Sequence, residues 1–119
     1  FIIYKMIIAG KIWGDTSELF NKNNVEIHRI NIIKGGTCSK HFHKHKYNLF
    51  FIESGRLLIN VWKNNYDLID KTIIKCNESC IVTPGEYHQF EALEDTVCYE
   101  IYWVEISEDI HRESVGSLT

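Results

Sequence analysis

The 119-residue chain is 45% hydrophobic and 13% aromatic with a single proline, the make-up of one folded domain around one core and not of a disordered segment. Its formal net charge of -3 provides no field to gather a phosphate backbone, which excludes nucleic acid as an expected partner. The longest apolar stretch, FIIYKMIIA, is interrupted by Lys5, falls far short of the roughly 20 residues of a membrane span and lacks a signal peptide's cleavage site, so no membrane is expected and the cytoplasm is.

In chain order, Met6 reads as a natural start, with FIIYK ahead of it irrelevant to the fold. The polar segment 15–24 is expected to hold one helical turn at most. Short runs of β-type composition then follow at residues 25–33, 37–45, 48–53, 56–63, 67–74, 79–83, 87–92 and 97–106. Between them stand Gly35-Gly36, Ser54-Gly55, Asn64-Asn65, Asn77-Glu78, Pro84-Gly85 and Glu94-Asp95, residues that supply turn conformations. The polar tail 109–119 is again expected to carry no more than a helical turn. About eight antiparallel strands in so small a domain must hide their edges, so the expected architecture is all-β and closed, a sandwich or jelly-roll barrel.

The chemistry concentrates in HFHKHKYN, residues 41–48. On a strand, positions two apart share a face, so His41, His43 and His45 are expected in one row pointing into the barrel. Two imidazoles so placed can share a metal ion but need a third ligand. His88, just after the Pro84-Gly85 turn, is the natural one. The cysteines, Cys38, Cys76, Cys80 and Cys98, form no CxxC pair and are expected as buried free thiols, Cys38 being the one near the histidines.

These residues carry a resemblance to the cupins. Gly35, five residues, His41-Phe42-His43, four residues, Asn48, six residues and Gly55 reproduce the spacing of that family's first motif, with Asn48 where a glutamate usually stands. Pro84-Gly85-Glu86-Tyr87-His88 resembles the second motif, Ala92 standing where an asparagine is common. Trp13-Gly14 and the QFEALED stretch are similar to the small mannose-6-phosphate-isomerase-type members. The resemblance implies a single-domain cupin jelly-roll barrel (double-stranded β-helix) within residues 1–119, its core at about 25–106 (about, from the strand pattern). It also implies His41, His43 and His88 as ligands of a divalent transition metal (Zn, Fe, Ni or Mn), with Asn48 at the fourth ligand position.

An amide offers a metal only a neutral carbonyl oxygen, so such a site keeps more positive charge than one with a carboxylate and should attract anions. Glu100 is a candidate to restore the carboxylate or act as a base, although the sequence does not fix its strand's parity. His45 is a candidate proton carrier near the mouth. Phe50, Ile52 and Phe90 are expected as apolar walls, and Lys46 and Arg112 as cations that could meet a substrate anion.

Three functions follow as expectations. The first is a metal-dependent sugar or sugar-phosphate isomerase or epimerase acting on a small anionic or carbonyl substrate. The second is a three-histidine Fe(II) dioxygenase, and the third a non-catalytic small-ligand binding or sensing module. A homodimer is expected through a barrel edge or the apolar 1–9 segment, because open sheet edges gain by being covered.

Overall fold

Successive side chains of a strand point to opposite faces, so one face of a sheet can be buried while the other meets solvent. The computed structural model describes residues 1–3, 5–63, 67–105, 116 and 118. Among them lie β1 (Ile7–Lys11), β2 (Gly14–Lys22), β3 (Val25–Ile32), β4 (Tyr47–Ser54), β5 (Arg56–Lys63), β6 (Leu68–Lys75), β7 (Ser79–Val82), β8 (Tyr87–Ala92) and β9 (Thr96–Trp103). They make a six-stranded sheet in the order β1-β2-β3-β9-β4-β7 and a three-stranded sheet in the order β6-β5-β8. Every pairing is antiparallel. The described residues contain no helix, hence none long and apolar enough to cross a membrane.

Two expectations about local structure are corrected. Segment 15–24 is not a loop with a helical turn: residues 14–22 form β2, paired along its length with β3. Its polar residues are tolerated because only one of its faces meets the core. Segment 37–45 is not a continuous strand either. It makes two isolated bridges to β8, Thr37↔Glu91 and His41↔His88, and bends at residues 44–45. The Asn64-Asn65 turn and the 109–115 stretch lie outside the described residues. Residues 1–3, 5 and 6 are exposed and belong to no strand.

The sheets enclose a core of Ile30, Ile32, Phe50, Ile52, Leu57, Ile59, Ile74, Val82, Phe90, Ala92, Cys38 and Cys98. Of the expected buried thiols, Cys38 and Cys98 are buried, but Cys80 is half-buried and Cys76 exposed. All four are free.

Chain reversal between β4 and β5 depends on Gly55, at φ +92°. A Cβ here would lie 2.4 Å from the Asp95 carbonyl oxygen and 2.5 Å from Thr96 Oγ1. Gly85 has a similar φ of +84°, yet a Cβ there meets nothing within 4 Å. The two glycines separate steric from conformational cost. Gly55→Ala is expected to lower unfolding free energy by about 3 kcal/mol and Gly85→Ala by about 1 kcal/mol, read from urea denaturation.

Candidate metal centre

The site is built where the β3–β4 connection runs beside β8. Gly35 N–H donates to the Ala92 carbonyl (2.8 Å) and Cys38 N–H to that of Phe90 (3.3 Å). His41 and His88 then exchange both backbone hydrogen bonds, at 3.1 and 2.8 Å. The turn ahead of β8 closes the arrangement: Gly85 N–H donates to the His43 carbonyl at 2.8 Å. Glu86 in that turn is held by the Lys63 ammonium and the Thr83 hydroxyl.

This framework brings His41, His43 and His88 together, with one potential ligand atom from each within 4.8 Å of the others. That separation is on the order of twice a metal–nitrogen bond of about 2.1 Å. Ring centroids are 4.5 Å apart for His41 and His88, 5.1 Å for His41 and His43, and 5.5 Å for His43 and His88. His41 Nδ1 lies 2.8 Å from the Ser39 carbonyl oxygen, and His88 Nδ1 3.0 Å from that of Glu86. A carbonyl only accepts, so each Nδ1 carries the proton and each neutral ring keeps its lone pair on Nε2. The Nε2 atoms of His43 and His88 are buried with no hydrogen-bond partner.

Protonation is disfavoured in the same place. Burial, reinforced by His41 and His88 alongside, lowers the pKa of His43 to about 4. Burial also lowers that of His88, against the opposing hydrogen bond to Glu86. Neutral imidazoles with unpartnered buried nitrogens are the donor set a borderline transition ion takes.

Asn48 is 1% exposed and lies on the inward face of β4, opposite Tyr102 in register. Neither Oδ1 nor Nδ2 makes a hydrogen bond of normal geometry, although the amide stands close enough to Glu100 to favour its charged form. Glu100 also points inward, which resolves the parity of its strand. It is 8% exposed and accepts a hydrogen bond from the Tyr102 hydroxyl. Burial raises its pKa above the usual carboxylate range despite that bond, and the Tyr102 hydroxyl is raised too, by burial first and Glu100 second.

A cavity of about 510 Å³ opens on this cluster, lined among others by His41, His43, Glu100, Tyr102 and Cys38. The other expected residues divide. Phe50, Ile52 and Phe90 are all buried, the Phe50 ring 6.3 Å from that of His88. Lys46 lines the cavity but is paired with Glu26 at 2.6 Å. His45 lies apart from the cavity lining, exposed at the bend that breaks the expected strand and its two-residue period. Arg112 lies outside the described residues.

Sequence reasoning missed one wall, formed by Glu26, His28 and Tyr102. His28 Nε2 lies 3.3 Å from Glu26, and its ring meets Tyr102 edge to face at 5.8 Å. The signal was present in VEIHRINI, where Glu26 and His28 share parity with the buried Ile30 and Ile32.

No family model and no curated protein matches the sequence. Solved structures do match in fold. The chain is similar to capsular polysaccharide assembling protein CapF from Staphylococcus aureus, with 24% identity and a TM-score of 0.73 over 90% of this chain and 30% of that one. It is also similar to an RmlC-like cupin from Shewanella frigidimarina, with 16% identity and a TM-score of 0.69 over 85% and 86% of the two chains. The Bacillus subtilis oxalate decarboxylase, a protein with Mn(II) centres, matches with 12% identity and a TM-score of 0.74 over 83% of this chain and 27% of that one. Two antiparallel sheets enclosing one core, with three histidines gathered beside the cavity, agree with these likenesses: the chain has the cupin fold.

Proposed function

We propose that the protein is a metal-dependent enzyme for small carbonyl compounds, a sugar or sugar-phosphate isomerase or epimerase, with His41, His43 and His88 holding one divalent transition ion. The observation that carries this reading is the convergence of three imidazoles, with buried, unpartnered Nε2 atoms at His43 and His88. When bound, the ion supplies Lewis-acid polarisation of a substrate carbonyl. Asn48, where the resembling motif carries a glutamate, would supply only a neutral amide and offset no charge, so the centre would favour anionic or enediolate-like ligands. Glu100 is the group that moves the proton, its carboxyl shifted by burial toward a range useful to a general acid or base. Tyr102 orients it. The four free thiols suit a reducing cytoplasm.

The neutral Asn48 favours a second reading, an oxygen-using Fe(II) enzyme with three histidine ligands. Activity that requires oxygen and iron and disappears with zinc would select it over the isomerase.

Protein purified without chelators should contain close to one equivalent of a transition metal by elemental analysis, and His43→Ala or His88→Ala should remove it. Nuclear magnetic resonance of sugar phosphates in deuterated water tests the reaction: metal-loaded protein should exchange the proton next to the carbonyl. Glu100→Gln should slow that exchange by about 100-fold or more with metal content unchanged. A metal-free wild type, or exchange indifferent to Glu100, contradicts the proposal.

The pKa of His43 also sets a sign for stability. In metal-free protein it falls from 6.5 to about 4 on folding, so between those values the unfolded chain binds more protons and stability is lost as pH falls. Glu100, with a raised pKa, acts in the opposite sense. Comparing wild type with His43→Gln isolates the histidine: denaturation in chelator at pH 7 and pH 5 should show a smaller acid loss in the variant.

A further inference from the structure

The inward face of β3 changes character along the strand. Ile30 and Ile32 are core residues, whereas Glu26 and His28, of the same parity, line the cavity. Across the sheet they stand opposite Tyr102 and Glu100, so two strands set four polar groups in one square. The Tyr102 ring lies 5.0 Å from that of His43 and 5.8 Å from that of His28. The wall is thus one ring's breadth from the histidine cluster.

Glu26 is the fixed point of this wall. Its Oε1 accepts from the Lys46 ammonium at 2.6 Å, and its Oε2 lies 3.3 Å from His28 Nε2. Lys46 first, with His28 assisting, holds the Glu26 carboxyl below its usual range against the opposing effect of burial, so it stays ionised. A carboxylate only accepts, which gives His28 Nε2 the proton. It has room for about four hydrogen bonds, of which these partners take two. His28 Nδ1 has no hydrogen-bond partner among the described residues. Acceptors with capacity to spare therefore line a cavity of about 510 Å³.

We propose, resting on the metal centre of the preceding section, that Glu26 and His28 bind the hydroxyl-bearing end of a polyhydroxylated ligand whose carbonyl or carboxylate end lies at the histidines. Charge separates the candidate ligand groups. An anionic group at this wall meets the Glu26 carboxylate, and the cation beside it, Lys46, is already paired. A cationic group meets Lys46, with Lys11 lining the same cavity. Hydroxyls donate to Glu26 and to His28 Nδ1 and bring no charge. Trp13 and Phe90, edge to face at 5.1 Å, also line the cavity and offer apolar surface to the C–H face of a sugar chain. The substrate class narrows to sugars and sugar acids with adjacent free hydroxyls, in place of carbonyl compounds with a bare carbon chain.

Calorimetric titration of protein purified without chelators tests this with two probes, D-gluconate and glycolate. Both present the same 2-hydroxycarboxylate to a metal, and only gluconate carries the further hydroxyls. Wild type is expected to bind gluconate about tenfold or more tightly than glycolate, the worth of hydrogen bonds to a charged acceptor. Glu26→Gln should lose that advantage and leave glycolate affinity as it was. Should that variant fail to fold, His28→Phe decides, because it keeps a ring against Tyr102 and removes the acceptor nitrogen; gluconate alone should again weaken. Gluconate bound by wild type no more tightly than glycolate overturns the inference and leaves the metal centre standing, as does a folded variant that keeps the full gluconate preference. Glu26-dependent binding of gluconate by protein that holds no metal and ignores glycolate upholds the wall and overturns the metal centre. Wild type that binds neither probe overturns the inference.

Discussion

The pair of backbone hydrogen bonds between His41 and His88 governs the geometry of this site. Residues on an antiparallel pair of this kind stand directly opposite each other, so the pairing sets two imidazoles against one another before any metal is considered. His43 follows because the Gly85 amide holds its carbonyl, tying the connection to the turn that precedes His88. That turn accepts from His88 Nδ1 through the Glu86 carbonyl while its side chain is anchored by Lys63 and Thr83. Position and tautomer of His88 therefore have one local cause.

Along the barrel, inward positions change from apolar to polar within the same strands. On β9 the sequence runs Thr96, Cys98, Glu100, Tyr102; on β4, read the other way, Ile52, Phe50, Asn48. On β3 it runs Ile32, Ile30, His28, Glu26. Apolar layers form the floor and bear most of the burial, leaving the upper layers free to hold ionisable groups. Those groups reduce their desolvation cost by staying uncharged or pairing: His43 and His88 shift down, Glu100 shifts up, and Glu26 is lowered by its hydrogen bond to Lys46.

Asn48 is buried on the inward face of β4. It is even-numbered where His41 and His43 are odd, and a regular strand would have turned it away from them. The bend at residues 44–45 absorbs the difference, leaving His45 outside and Asn48 inside. Its amide faces Glu100 without a well-formed hydrogen bond; both stand on the six-stranded sheet, whereas the histidines come from β8 and the connection.

Most of the strand pattern, the turns among the described residues and the convergence of His41, His43 and His88 were legible because each rests on short-range signals: alternation, φ-permissive residues and motif spacing. The ends of β4, β5, β7 and β8 shift by no more than a residue between sequence and structure. Residues 14–22 were not legible as a strand, because their pairing with β3 overrides a polar composition with little β preference of its own. The inward direction of Glu100, the exclusion of His45 and the wall of Glu26, His28 and Tyr102 also waited on tertiary structure. Each depends on which residue stands opposite which across a sheet. Register between strands distant in sequence is set by the whole barrel closing at once, and no local stretch of the chain records it.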